Sequence, residues 1–361
     1  MPKGRKMKIK AKQFEITTSS PTYFIADIAA NHDGELDRAL QLIELAAKAG
    51  ANAAKFQHFK AETIVSDIGF RKLGTGMAHQ KRWSKSVVEV YREAELPLSW
   101  TESLKSKCDA VGIDFFSAIY DLEYLDILSS SMPFFKIGSG DITWAQMLRK
   151  TAQFGKPMFI ATGASSMREV QEALEVVESF NLDVCLMQCN TNYTGDETNP
   201  SYANLRVISE YRKAFPDLIL GLSDHTSTNT TVLGAIALGA TVVEKHFTDD
   251  RGRSGPDHAF SLDFQMWRDM VLQARELEAS LGDGNKKVED NELESQIVQR
   301  RAARVKRKVN QGETISQKDI SFLRPCPNGA ATPYDFYNRT SVVATTSLEE
   351  GECIPKSWLE V

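Results

Sequence analysis

Between about Thr22 and Ser280 the chain alternates two patterns. Short apolar runs rich in β-formers (TYFIADIA, ANAAKFQHF, GIDFFSAI, MPFFKIGS, KPMFIATG, LDVCLMQCN, LILGLSD and ATVVEKHF) are separated by stretches of helical period. In ELDRALQLIELAAKAG the apolar residues fall near i, i+3, i+4 and i+7, and Gly50 follows as a terminator. SMREVQEALEVVESF has the same period, and Ser165 or Ser166 can cap it ahead of Glu169. Parallel strands need long crossovers, so repeated strand–helix units predict a parallel sheet covered on both faces. Eight such runs over roughly 250 residues predict a (β/α)8 TIM barrel. A doubly wound open sheet is the competing arrangement. It uses a glycine-rich turn after the first strand, and ANHDG is not one.

Two regions depart from the alternation. Between His58 and a helix beginning near Leu98 lie about forty residues, longer than connections in compact domains usually are. This segment follows a strand, which assigns it to the active-site face of a barrel. After Ser280, LGDGNKKVEDNELESQ is polar and reads as a linker or a surface helical segment. From Val305 the chain becomes turn-rich and β-like, and the pattern x-Gly-Glu-x-Ile occurs at Gly312–Ile315 and again at Gly351–Ile354. The predicted organisation is a barrel over residues 15–282, a linker over 283–304 and a small β-rich domain over 305–361.

Composition adds limits. The chain has 361 residues, 42% hydrophobic and 25% charged, as ordinary globular proteins do. The cysteines (Cys108, Cys185, Cys189, Cys326 and Cys353) form no framework, and Cys185 and Cys189 read as reduced core residues. No apolar stretch approaches the length of a membrane span. MPKGRKMKIK is basic without an apolar continuation, so it is not read as a signal peptide, and a cytoplasmic location is expected. A net charge of −5 gives no sign of nucleic-acid binding. The basic cluster QRRAARVKRK reads as a charged linker and the start of a strand.

The candidate chemistry lies where the strands end. Side chains alternate across a strand, so Glu244 and His246 share a face and Lys245 takes the other. Lys55 pairs with Gln57, Lys136 sits between Phe135 and Ile137, and Asp27 comes late in the first run. Several strands thus carry ionisable groups toward one rim, where buried charge is costly unless it is used. His225 and His246 end neighbouring strands. Two imidazoles with open positions suit a divalent transition ion completed by water or substrate. A pair of core histidines bonded to Asp224 and Glu244, or a general base, are the alternatives. Lys55 and Lys136 can hold a phosphate or carboxylate, or form a Schiff base. ATGASS can offer backbone N–H groups to phosphate oxygens, or be a capped turn.

The segments IADIAANHDGELDRA, AGANAAKFQ, FKIGSGD, GKPMFIATGASS, FPDLILGLSDHT, EKHFTDDRGRSGPD and LRPCPNGAATPYDFY occur in this order from about Ile25 to the C terminus. In these the chain resembles the sialic acid synthase family, which includes N-acetylneuraminate, legionaminate and pseudaminate synthases. The resemblance implies a TIM barrel followed by a small antifreeze-protein-like (SAF) domain. It also implies a domain-swapped homodimer, each small domain covering the other subunit's barrel mouth. The reaction implied is condensation of phosphoenolpyruvate with the open-chain aldehyde of an N-acyl amino sugar. The products are a nine-carbon 3-deoxy-2-keto sugar acid and phosphate, and Mn2+ or another divalent ion such as Mg2+ or Co2+ takes part. Carried over, His225 and His246 match metal ligands. Lys55, Gln57, Lys136 and Ser139 match phosphoenolpyruvate and phosphate contacts, with Thr162 and Gly163 nearby. Glu244 and Asp257 match sugar-hydroxyl contacts and proton-transfer groups, and Tyr193 and Ser223 match further pocket residues. Arg324 matches an arginine that reaches from the small domain to the N-acyl group of the sugar in the other subunit.

Three positions depart from the family pattern. Asp27 stands for the usual glutamate of the first strand, one methylene shorter. Ser117 opens SAI where the family has Ser-Thr-Pro, and Thr191 takes the place of a substrate-contacting asparagine, with Asn190 and Asn192 beside it. The residues nearest phosphoenolpyruvate and metal are kept and those around the acceptor drift, so the sugar is left open. A Schiff-base aldolase on the same barrel and a non-catalytic carbohydrate-binding relative are the competing functions.

Overall fold

The computed structural model describes residues 5–73, 83 and 85–359. The chain divides after Gly282 into two compact units. In the first, all eight apolar runs become strands: β1 (Tyr23–Asp27), β2 (Ala53–His58), β3 (Asp114–Ile119), β4 (Phe135–Ile137), β5 (Met158–Ala161), β6 (Val184–Cys189), β7 (Ile219–Asp224) and β8 (Val242–His246). They pair in parallel in chain order, and β8 pairs with β1 to close the barrel. This is a TIM barrel and not an open sheet. Its principal helices are α1 (Leu36–Lys48), α2 (Thr101–Val111), α3 (Leu122–Leu128), α4 (Ala145–Gln153), α5 (Met167–Glu178), α6 (Val207–Ala214), α7 (Thr230–Ala237) and α8 (Phe264–Leu281).

Local sequence accounts for these elements. Leu42, Ile43 and Ala46 form the buried stripe of α1, and Gly50 beyond it adopts φ +96°, a conformation open to glycine. Ser166 caps α5 in a reciprocal box with Glu169, so of the two serines it is the second that caps. The lower half of the lumen is filled by Phe116, Phe134 and Phe159, with ring centroids 4.8–5.8 Å apart. A ribbon of Ile9–Lys10 against Glu15–Ile16 packs below, where Lys12 N–H donates to Asp114 and Gln13 accepts from Asn52 at the strand starts. The barrel unit therefore begins before residue 15. The long segment after β2 is partly helical (Ala61–Ile64, Asp67–Leu73 and Val87–Glu93); residues 74–82 and 84 lie outside the described residues.

The second unit has its own core of Val305, Ile315, Ile320, Phe336, Ile354 and Trp358. Two antiparallel pairs build it: β9 (Ala302–Val305) with β11 (Ile320–Leu323), and β10 (Thr314–Ser316) with β12 (Ser341–Val343). The repeated x-Gly-Glu-x-Ile explains two of its turns. Gly312 and Gly351 both take φ near +84° (+83° and +85°), and Ile315 and Ile354 are fully buried. The strand start read in QRRAARVKRK is β9, and the preceding LESQIVQ forms an exposed helix.

Two buried histidines on the barrel's flank set an acid limit. His58 places Nδ1 2.7 Å from Ser117 Oγ and Nε2 3.1 Å from Thr101 Oγ1. Burial, then repulsion from His32, lowers its pKa to about 4. The unfolded chain therefore binds the proton first, near pH 6.5, and this residue's contribution, full above that pH, is lost as pH falls toward 4. Between about pH 7.5 and about pH 4.5 the stability gap between the parent and His58→Gln, measured in urea, should move by roughly 2–3 kcal/mol in favour of Gln. A gap that does not move with pH would contradict the buried neutral imidazole.

Candidate active site

Strand register fixes which side chains meet. Asp27 lies opposite Lys55 and His246, Ala118 opposite Lys136, and Ser223 opposite both Cys189 and Glu244. Residues level with one another in a parallel barrel share a face, so these point into the lumen. They open into a cavity of about 390 Å³ at the C-terminal ends of the strands. Asp27, Lys55, Gln57, Lys136, Ser139, Tyr193, Ser223, His225, His246 and Asp257 all line it.

The floor is a buried charge cluster. Lys55 Nζ is 2.7 Å from Asp27 and 3.7 Å from Glu244; Lys136 Nζ is 2.8 Å from Glu244. Ser223 Oγ donates to the same Glu244 oxygen at 3.2 Å. Burial pushes the Glu244 carboxyl up, but Lys136 and Lys55 outweigh it and hold the group at about 2. For Lys55 burial works against the charge, yet Asp27 and Glu244 raise its pKa overall. It is held as ammonium, the wrong form for a Schiff-base nucleophile. Glu244 Oε2 and Asp27 Oδ1 are buried without a hydrogen-bond partner. Such orphaned oxygens leave the floor ready to receive hydroxyl donors.

The two histidines converge: their ring centroids are 5.4 Å apart. Burial drives each to about 3, so both imidazoles are neutral. His225 Nδ1 lies 2.9 Å from the carbonyl of Asn190. A carbonyl only accepts, so Nδ1 carries the proton and Nε2 keeps its lone pair. Metal-ligating histidines commonly give their other ring N–H to a backbone carbonyl in this way, which fixes the tautomer and the ring orientation. His246 Nδ1 is buried without a partner, and its Nε2 is 3.6 Å from Asp27. The alternative of core histidines satisfied by Asp224 and Glu244 does not hold. Asp224 faces outward, bonded to Lys245 (2.6 Å), Thr226 and Thr231. Lys245, the odd residue of VVEKHF, is thus the partner of a buried structural ion pair. The donor set therefore fits a divalent ion held by two neutral imidazoles. No cluster of three or more His, Cys, Asp or Glu ligands exists among the described residues, so water or substrate would complete the coordination.

Some candidates fall elsewhere. Ser117 does not face the lumen: its hydroxyl bonds His58 on the outer face, and Ala118 occupies the inward position. Thr162 also points outward, donating to Met187 O and accepting from Tyr211 Oη, both at 3.0 Å. Gly163 gives its N–H to Ser139 Oγ at 2.9 Å, and a Cβ there would lie 2.4 Å from Thr191 Cγ2. Gly163 thus holds Ser139 while Thr191 packs close against that glycine, and neither is among the residues lining the cavity. With Ser166 N–H bonded to Glu169, ATGASS is chiefly a capped turn. Arg324 is exposed on the second unit.

Other lining residues are not apparent from strand periodicity. The turn Ser139–Asp141 brings in Asp141, which burial raises to about 6. The inserted segment contributes Phe59, Ile64, Trp83, Val90 and Tyr91, an apolar wall opposite the charged floor. Asp257, raised to about 7 by burial, accepts from Ala30 N–H at 3.1 Å.

The sequence profile of the NeuB family matches residues 42–286. The chain is 33% identical over 337 residues to N,N'-diacetyllegionaminic acid synthase of Campylobacter jejuni subsp. jejuni, covering 92% of this chain and 98% of that one. It is 31% identical to N-acetylneuraminate-9-phosphate synthase of Mus musculus, covering 94% and 93%. Among solved structures, N-acetylneuraminic acid (sialic acid) synthetase from Leptospira borgpetersenii, in complex with citrate, superposes with a TM-score of 0.69 at 27% identity, covering 81% of this chain and 96% of that one. With the profile spanning well over half of its length, the chain belongs to the NeuB family.

Proposed function

We propose that this protein is a nonulosonic (sialic) acid synthase. It condenses phosphoenolpyruvate with the open-chain aldehyde of an N-acyl amino sugar, giving a nine-carbon 2-keto-3-deoxy acid and phosphate. The observation that carries the reading is the convergence, at one barrel mouth, of two buried ammonium groups with two neutral imidazoles. The names of the relatives support it. A Schiff-base aldolase is disfavoured because Lys55 is held protonated and Lys136 is paired with Glu244.

Lys55 and Lys136 take the anionic groups of phosphoenolpyruvate, with Ser139 and Gln57 adding hydrogen bonds. The incoming anion meets ammonium groups already set in place, so little reorganisation is needed. Glu244 and Asp27 hold the lysines and take hydroxyls of the sugar on their free oxygens. C3 of phosphoenolpyruvate forms the C–C bond to the aldehyde carbon, water adds at C2, and the C2–O bond breaks to release phosphate. Asp257, near 7, exists in both protonation states at neutral pH. It can therefore give a proton to the developing alkoxide and take one from water. His225 and His246 would hold Mn2+ or a similar divalent ion, which supplies Lewis acidity toward the aldehyde oxygen.

The second unit is proposed to be an SAF domain, and Arg324 to reach the sugar of the other subunit in a domain-swapped homodimer. A cytoplasmic location is proposed because phosphoenolpyruvate is an intracellular metabolite. No helix among the described residues is long and apolar enough to cross a membrane.

The test is phosphate release from phosphoenolpyruvate with Mn2+ and a panel of acceptors: N-acetylmannosamine, its 6-phosphate and a 2,4-diacetamido-6-deoxy sugar. Release that requires one of these supports the reading. The absence of acceptor-dependent release, with the folded protein and every sugar, would overturn it.

A further inference from the structure

The loop from β8 to α8 contains a second polar cluster behind the cavity. Its ends are clamped: Thr248 N–H donates to Leu262 O (3.0 Å), and Leu262 N–H to His246 O (2.9 Å). Within this closed loop Asp257 faces the cavity and its neighbour His258 does not. The His258 imidazole is fully buried. Its Nε2 lies 2.8 Å from Asp33 Oδ1 and its Nδ1 2.8 Å from Thr248 Oγ1. The carboxylate only accepts, so Nε2 carries the proton toward Asp33, and both ring nitrogens are partnered.

Asp33 is itself held. Its Oδ2 is 2.8 Å from Arg253 and 3.0 Å from Arg38 Nε. Arg38 Nε also donates to Asn31 O at 2.7 Å, and the rest of its guanidinium forks onto Asp249. Asn31 Nδ2 donates to Phe247 O and Ser261 Oγ, and Ser261 Oγ donates to Asp257 O at 2.6 Å. The loops after β1 and β8 are thus stapled around the residue next to Asp257. Gly255 lies flush on the imidazole, where a Cβ would meet His258 Cδ2 at 2.7 Å. This gives NHDG and SGPDH one shared physical role: the first supplies the anchor, the second the ring and the glycine that lies against it.

We propose that His258, gripped between Asp33 and Thr248, is a positioning residue that fixes the Asp257 carboxylate at the cavity rim. The inference rests on the proposed synthase activity and on Asp257 touching the acceptor sugar. An ångström of misplacement costs on the order of 10²-fold in rate. A group that acts only through Asp257 loses its effect once that carboxylate is gone.

The experiment is a double-mutant cycle of His258→Leu with Asp257→Asn. Its readout is kcat/KM for the panel sugar that turns over fastest, with the folded state checked by thermal melting. Thr248→Val, a change of similar shape that removes the 2.8 Å bond to Nδ1 together with the longer 3.3 Å contacts to Asp249 and Asp250, runs in parallel and carries the same cycle if His258→Leu does not fold. The expected result is a loss of about 10²-fold for His258→Leu in the parent, shrinking to within about 3-fold in the Asp257→Asn background. An equal loss in both backgrounds would overturn the inference while leaving the role of Asp257 standing. Full activity in Asp257→Asn would overturn that role, and the inference with it. If no sugar supports release by the unaltered protein, it is the synthase reading that falls.

Discussion

His246→Ala is expected to abolish acceptor-dependent phosphate release while leaving the protein folded. His246 ends β8 inside the lumen, neutral and with an unpaired buried nitrogen, so the fold gains no hydrogen bond from Nδ1. Deleting the ring removes packing against Phe260, whose centroid is 4.8 Å away, but strands no partner there. The stability cost is that of a cavity at the wet end of the barrel. For function the ring is one of two donors able to share a divalent ion. Its loss should cost at least the 10²–10³-fold scale of removing one preorganised electrostatic contact. Steady-state phosphate release beside a thermal melt separates the two effects. Turnover within about 10-fold of the parent would remove the histidine pair from the chemistry.

Lys136→Met should remove both phosphoenolpyruvate binding and stability, for different reasons that a second change separates. Lys136 is almost fully buried, with Nζ 2.8 Å from Glu244. Taking it away leaves Glu244 with the Ser223 hydroxyl at 3.2 Å and the Lys55 ammonium no nearer than 3.7 Å. Breaking a buried pair in this way typically costs about 3–5 kcal/mol. Replacing both partners, as in Lys136→Met with Glu244→Leu, should recover most of that cost, since apolar pairs of similar volume are often neutral or stabilising. It should recover no activity, because the anion site is gone. Urea unfolding and the KM for phosphoenolpyruvate, measured on the single and double variants, test this. Recovery of activity in the double variant would mean that the lysine serves the fold alone.

Strand chemistry carried most of the site in the sequence. In VVEKHF and AAKFQHF, ionisable residues interrupt apolar runs, and the period of two separates Glu244 and His246 from Lys245, and Lys55 and Gln57 from His58. In FFSAI that reasoning has no grip. A parallel strand is buried on both faces, so an apolar pattern does not tell inward from outward, and family matching selects Ser117 when Ala118 is the inward residue. Thr162 fails for a related reason: it follows Ala161 at the strand end, where the next residue turns outward to Met187 and Tyr211. Asp141 and the wall of Phe59, Trp83 and Tyr91 lie beyond strand ends, in turns and short helices whose direction no local periodicity sets. Asp33 and His258 belong to one network though 225 residues separate them. Only barrel closure between β8 and β1 brings them together. The eight strands were easier to read, because each apolar run is bounded by a helix of clear period.

The most direct test of the proposed chemistry follows one oxygen atom. Phosphoenolpyruvate labelled with 18O at the bridging C2–O position is turned over with the active sugar, and phosphate and keto acid are analysed by mass spectrometry. C2–O cleavage predicts that the label leaves entirely with phosphate. Label retained in the sugar acid would mean P–O cleavage and would contradict the condensation derived from this site.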